Sequence, residues 1–305
     1  MEREARKILN FIEQLILIIC SYILISALIS IPFYLSNYQV TFLNSIFESV
    51  SGLTGTGFSI FKDIKYLDPT LILWRSSSQW VGGLFFLFFL IIIFSNKSFN
   101  YKMTNLTFPG DNNFNSEANI KDNLLRIFLL YSLLSILILS LLNLSGVRLF
   151  NSLNLSMTLI SGGGFLPIEN ISKIISTNFQ KVVLIFSFFI SMLNLYLLFN
   201  IFNKNILLKD HKEDFYLIVL TIVFCCLIYF NNYEGLDIII SVTSSLANSG
   251  LTLMKSDNNL SLYFLLITII GGSLISNSSG IKLTRFYILL KITSLEIIKL
   301  ISPNS

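Results

Sequence analysis

Charge is what this sequence has least of. Only 12% of its 305 residues are charged, and the mean hydropathy is +0.73. A soluble domain carries about 25% charged residues, so a water-soluble globule is excluded. Histidine is almost absent too: His211 stands alone in a polar link among Lys209, Asp210 and Lys212. The three cysteines, Cys20, Cys225 and Cys226, sit inside apolar runs without metal-ligand spacing and read as small packing residues. No phosphate loop, nucleophile–base pair or metal cluster is present, which argues against an enzyme and against a bound cofactor. The first apolar run, roughly 9–34, is too long for a signal peptide and lacks a small-residue cleavage site behind it.

What is abundant is apolar sequence, 53% of the chain. Six segments are long enough to span a bilayer: roughly 9–34, 70–95, 124–144, 180–203, 214–231 and 260–290, the last one interrupted. Short elements lie between the members of each pair, near 41–53, 149–161 and 236–247. Each is about 12 residues, or about 18 Å as a helix, against a hydrocarbon core of about 30 Å. They can dip in and return, not cross. This predicts an all-α membrane protein of repeated helix–pore loop–helix modules, with repeats at 1–100, 101–210 and 211–305 forming one membrane domain.

If the short helices loop back, both termini share a side. Fourteen lysines and arginines then fall on that side and seven on the other. By the positive-inside bias the termini are cytoplasmic.

Each short element ends in a glycine-centred turn: Thr54-Gly55-Thr56-Gly57-Phe58, Gly162-Gly163-Gly164-Phe165 and Asn248-Ser249-Gly250-Leu251. Non-helical backbone at membrane depth survives only where it is buried in protein or lines a water-filled path. Glycine permits the unusual torsions that aim carbonyls at an ion, and a helix C-terminus favours a nearby cation. No carboxylate occurs in the turns, so a carbonyl site for a monovalent cation fits better than a ring of charged side chains. Any one turn alone reads equally well as a helix C-cap; recurrence at the same place in three modules favours the ion path.

These turns carry a family resemblance. The stretch Phe47 to Gly57, then Trp74-Arg75 and Gln79-Trp80-Val81-Gly82-Gly83, resembles the first pore loop and following helix of the Trk/Ktr/HKT superfamily of potassium transporters, its TrkH branch most closely. Gly163-Gly164-Phe165, Asn248-Ser249-Gly250, Gly271-Gly272, Ser279-Gly280-Ile281-Lys282 and Arg285-Phe286 resemble later landmarks, as do Phe108-Pro109-Gly110 and Glu296 to Asn304. The resemblance implies potassium uptake across the cell inner membrane, with K+ held by backbone carbonyls of Thr54, Gly55, Thr56, Gly57, Gly163, Gly164, Asn248, Ser249 and Gly250. It further implies a homodimer in membrane lipid, a TrkA-like cytoplasmic nucleotide-binding regulator, and no nucleic-acid partner.

Departures from the pattern define alternatives. Three of the family's four repeats are present, so the fourth is expected from a separate chain, or the chain assembles differently, or the sequence is a fragment or a degenerate copy. The first turn has Gly55 where the family often has Thr, and the break from Ser273 to Gly280 is poorer in glycine. A truncated, non-conducting or regulatory subunit is the second reading. A broken-helix secondary transporter for another substrate is a third, and it would need midplane binding side chains that these spans scarcely offer.

Among single residues, Glu48 reads as a brace for pore-helix backbone ahead of a cation attractor. Ser276, Asn277, Ser278, Ser279 and Gly280 read as a gate more than as a helix kink. Lys282 and Arg285 read as cytoplasmic anchors, Asn194 as helix–helix glue, and Phe85 to Phe94 as packing or lipid-facing surface.

Overall fold

The computed structural model describes residues 11–94, 117–195, 212–229, 234–254 and 258–301. Ten α-helices are found among them, and no strand. In chain order they are α1 (Phe11–Tyr34), α2 (Phe42–Leu53), α3 (Pro69–Phe94), α4 (Glu117–Leu144), α5 (Leu149–Ser161), α6 (Asn178–Met192), α7 (Lys212–Tyr229), α8 (Gly235–Ala247), α9 (Asn258–Ile270) and α10 (Leu283–Ile301). His211 and Phe108-Pro109-Gly110 lie outside the described residues.

The short helices α2, α5 and α8 fall where the sequence predicts them. Thr41 starts α2 by accepting from the Asn44 amide, a side-chain cap for an otherwise orphaned donor. A reciprocal Thr177–Gln180 capping box starts α6, and Gln180 also donates to the Ser145 carbonyl. That bond ties the entry of α6 to the end of α4.

Polarity is inside out. Isoleucines and leucines along α1 and α7 point outward, while Glu48, Ser49, Arg75, Gln79, Asn154, Ser187 and Ser244 are buried. Interior hydroxyls largely donate to carbonyls three or four residues back, as Ser45, Ser187 and Ser191 do, which satisfies them without breaking the helix. Among the described residues three helices, α1, α3 and α4, are long and apolar enough to cross a membrane by length and composition.

Two expectations need correction. The span expected over 180–203 breaks after Met192: Leu193 is extended, the Met192 carbonyl accepts from Ser273, and the Leu195 amide donates to Ile275. The helix is interrupted at Leu193 and Asn194, where backbone groups bond to another segment, and Leu195, the last described residue of this stretch, is helical again. Nor are all the cysteines packed: Cys20 and Cys226 are exposed, and only Cys225 is partly covered, so two of them sit on the outward apolar surface.

Each short helix is framed by its own repeat, α2 by α1 and α3, α5 by α4 and α6, α8 by α7 and α9. The second and third short helices are also covered by the outgoing helix of the repeat before: α3 packs on α5, and α6 on α8. Gly82 of α3 lies so close to Leu53 that a methyl group would collide with its carbonyl. The modules therefore succeed one another around a common centre.

Candidate functional site: three converging turns

The three turns are built alike. Gly55, Gly162 and Asn248 each take a left-handed conformation, with φ of 69°, 67° and 58°. Their amides donate three residues back, to Gly52, Leu159 and Ser245. The next amides, of Thr56, Gly163 and Ser249, donate five residues back, to Ser51, Thr158 and Ser244. This is Schellman-type capping of a helix C-terminus. The geometry makes Gly57, Gly164 and Gly250 equivalent, and it accounts for Asn248: asparagine is the side chain that best tolerates the left-handed region.

The turns also meet. A Cβ built on Gly57 would lie 3.0 Å from the Cα and the amide nitrogen of Gly164. One built on Gly164 would lie 2.9 Å from the Ser249 carbonyl oxygen. All three backbones thus approach within van der Waals range at one place. Their amides are directed back into the short helices, whereas no hydrogen bond among the described residues ends on the carbonyls of Thr54, Gly55, Thr56, Gly57, Gly163, Gly164, Asn248, Ser249 or Gly250. Such oxygens, at the negative ends of three helix dipoles, suit a weakly hydrated cation. The hydroxyls of Thr54 and Thr56 contact each other, as do those of Ser244 and Ser249, and Ser51 donates to Phe58.

Glu48 lies behind the first turn, fully buried. It accepts from the Ile60 amide at 2.8 Å, the Ser59 hydroxyl at 3.0 Å and Arg75 Nε at 2.8 Å. Its contacts are those of a brace for the segment leaving the turn. Arg75, one of the seven charges counted opposite the termini, is 1% exposed. Its head also meets the Ser59 hydroxyl and the Phe165 ring.

The break in the last span, 271–282, is a folded hairpin and not a kink. The amides of Ile281 and Lys282 donate to Ile269 and Ile270, and Leu283 to Gly272. Asn277 donates to the Ile160 carbonyl at the end of α5. Its own carbonyl would lie 3.2 Å from a Cβ on Gly162, which brings the hairpin up against the second turn.

Lys282 is not a cytoplasmic anchor. It is 5% exposed, and its ammonium reaches the carbonyls and hydroxyls of both Ser276 and Ser278. From outside, Glu213 of α7 accepts from the Leu274 amide and from the Thr284 amide and hydroxyl. Arg285 is exposed, and the Asn194 amide is bonded to Asp214. Arg75 and Lys282 leave opposite sides of the charge tally, which becomes thirteen against six. Both were legible in principle: a charge inside an apolar span is itself a pointer to a functional or organising site.

The fold and these turns define a polytopic helical membrane protein whose repeated re-entrant helices meet at a shared centre. No protein-family model matches the chain. It is 28% identical over 292 residues to the uncharacterized cation transporter MJ1485 of Methanocaldococcus jannaschii, covering 93% of this chain and 60% of that protein. It is 27% identical over 317 residues to the Trk system potassium uptake protein TrkG of Escherichia coli, covering 96% and 64%. The crystal structure of the potassium transporter TrkH from Vibrio parahaemolyticus matches with a TM-score of 0.81 at 19% identity, over 99% of this chain and 65% of that one. Over nearly its whole length the chain is thus similar in sequence to Trk-type transport proteins, and it shares the fold of one of them. It spans about 60–65% of the length of these relatives.

Proposed function

We propose that this chain lines most of a potassium-uptake path through the cell inner membrane, with cytoplasmic termini and three repeats at 1–100, 101–210 and 211–305. K+ is held by carbonyls of the three turns, at Thr54, Gly55, Thr56, Gly57, Gly163, Gly164, Asn248, Ser249 and Gly250. The hairpin at Ser276, Asn277, Ser278, Ser279 and Gly280 is the gate. The observation that carries this reading is the convergence of three equivalent turns whose amides face backward and whose carbonyls are not engaged. The naming of the relatives as potassium uptake proteins supplies the ion.

A fourth sector completes the path. Phe47, Val50 and Thr54 form an exposed stripe on α2, with Phe47 48% and Val50 39% exposed. The equivalent positions on α8, Ile240, Thr243 and Ala247, are buried, on a helix against which α6 packs. On α5 they are Asn154, Met157 and Ser161, two of them buried, and Met157 meets Ser77 of α3. An outgoing helix of a fourth pore-loop repeat fits the stripe on α2, whether it comes from further sequence or from a separate chain. A homodimer and a TrkA-like nucleotide-binding regulator are the remaining expected partners. The same open stripe favours the second reading, a regulatory subunit that assembles without conducting.

The test is growth of potassium-uptake-deficient cells at limiting potassium, with the chain alone and with a candidate fourth repeat. Gly57→Ser and Gly57→Asp are expected to abolish rescue. Rescue at the parental level by these variants overturns the carbonyl site; no rescue under any condition by the parent, despite its presence in the membrane, favours the regulatory subunit.

A further inference from the structure

One helix of the first repeat holds two of the turns at once. From α3, Arg75 reaches the first turn and the second. Its Nε pairs with Glu48 at 2.8 Å, and its Nη2 meets the Ser59 hydroxyl at 2.9 Å. Through Glu48 and Ser59 it fixes the segment that leaves Gly57. The guanidinium carbon lies 4.3 Å from the centroid of the Phe165 ring, in the residue after Gly164. Arg75 Nη1 is buried with no hydrogen-bond partner, so aromatic faces are what that edge of the cation has; Phe61 adds a second one, 5.7 Å from the guanidinium carbon.

One turn further along α3, Gln79 is wholly buried. Its side-chain oxygen accepts from the Phe165 amide at 3.2 Å, and its amide plane lies flat against Gly163, where a methyl group would collide with it. Gly163 therefore has to be glycine for Gln79 to reach Phe165. Sequence explains why this device is particular to the junction of the first two turns. The positions equivalent to Glu48 are Leu155 and Ser241, neither of which can bind a guanidinium as a carboxylate does.

Resting on the ion-site reading above, we propose that Arg75 and Gln79 are positioning residues that set the spacing between the first and second turns, and thereby which alkali cation the site prefers. Neither touches the ion. Arg75 ties Glu48 and Ser59 to the Phe165 ring; Gln79 ties the Phe165 amide and Gly163 to α3. A cation site made of carbonyls discriminates by how far its oxygens can relax around the smaller ion, and this brace restrains that relaxation at one of the junctions.

The test is thermal unfolding of the full chain, purified from membranes, in matched potassium and sodium concentrations. A ligand that binds only the folded state raises Tm, so the readout is the difference in Tm between the two ions, which needs no conduction. Gln79→Leu and Phe165→Leu are expected to lose the potassium-over-sodium difference while keeping a cooperative transition. Gln79→Glu, which retains the acceptor, is expected to keep it. Arg75→Lys keeps a charge for Glu48 without the flat face for Phe165, and is expected to diminish the difference. Should the leucine variants not fold, Gln79→Asn draws the acceptor back by one methylene and is expected to lose the difference as well. Parental discrimination in folded Gln79→Leu and Phe165→Leu, or in Gln79→Asn, overturns the brace. No rise in Tm with either ion in the parent, with and without a candidate fourth repeat supplied, overturns the ion site itself; equal rises with both ions overturn the brace as a source of selectivity.

Discussion

Replacing Lys282 by methionine removes a buried strap from the hairpin in the last span. The parental ammonium contacts two carbonyls and two hydroxyls, of Ser276 and Ser278. Methionine is of similar length and donates nothing. The hydroxyls have other partners, since Ser276 donates to the Ser273 carbonyl and Ser278 accepts from the Gly272 amide. The loss therefore falls mainly on the two carbonyls. Hydrogen bonds to charged groups contribute about 1.5–3 kcal/mol each, partly offset because burying the ammonium is itself costly. A net loss of about 1.5–3 kcal/mol from the folded hairpin shifts its closed-to-open ratio by roughly 10- to 150-fold, at 1.4 kcal/mol per decade. In a gate, that appears as faster flux. The assay is uptake of rubidium as a potassium tracer into vesicles, normalised to protein in the membrane. Lys282→Met is expected to raise the initial rate, and Lys282→Arg, which retains the cation, to stay near the parent. Unchanged or slower flux through Lys282→Met at normal abundance refutes the strap.

Other perturbations follow from the same geometry. Glu48→Gln leaves Arg75 charged and buried without its counter-ion, at a cost of about 3–5 kcal/mol, and is expected to lower Tm sharply in a thermal-melt assay; an unchanged Tm contradicts the buried pair. Gly82→Ala pushes a methyl group into the Leu53 carbonyl and is expected to cost about 1–3 kcal/mol, read as a lower Tm and reduced yield from membranes. Asn248→Ala places alanine in the left-handed region and is expected to cost about 1–2 kcal/mol, whereas Asn248→Gly is expected to remain close to the parent. Phe47→Ala, on the exposed stripe of α2, is expected to leave the Tm of the isolated chain nearly unchanged while weakening growth when the fourth repeat is supplied; equal growth argues that nothing docks there.

Much of the fold was legible because its signals are coarse. Apolar length distinguishes a span from a re-entrant helix, and glycine marks the turns, so α2, α5 and α8 could be placed from sequence alone. The break after Met192 was not legible, since nothing in 180–203 announces that the hairpin at 271–282 will take its backbone groups. The pairing of Glu48 with Arg75 was missed for a similar reason: the partners are 27 residues apart on different helices, and a charge near the end of a span reads first as a surface anchor. Lys282 was misplaced on the same logic. Asn248 shows the opposite case: the sequence placed it in the third turn, and its left-handed torsion explains why asparagine stands where the other two turns have glycine.

The most direct test is diffraction from the protein crystallised in rubidium or thallium, with the ion located by anomalous scattering. The account predicts density on the line where Gly57, Gly164 and Ser249 approach one another, with backbone carbonyl oxygens as its ligands. Ions found only at carboxylates or on the protein surface, with none among the turns, would contradict it.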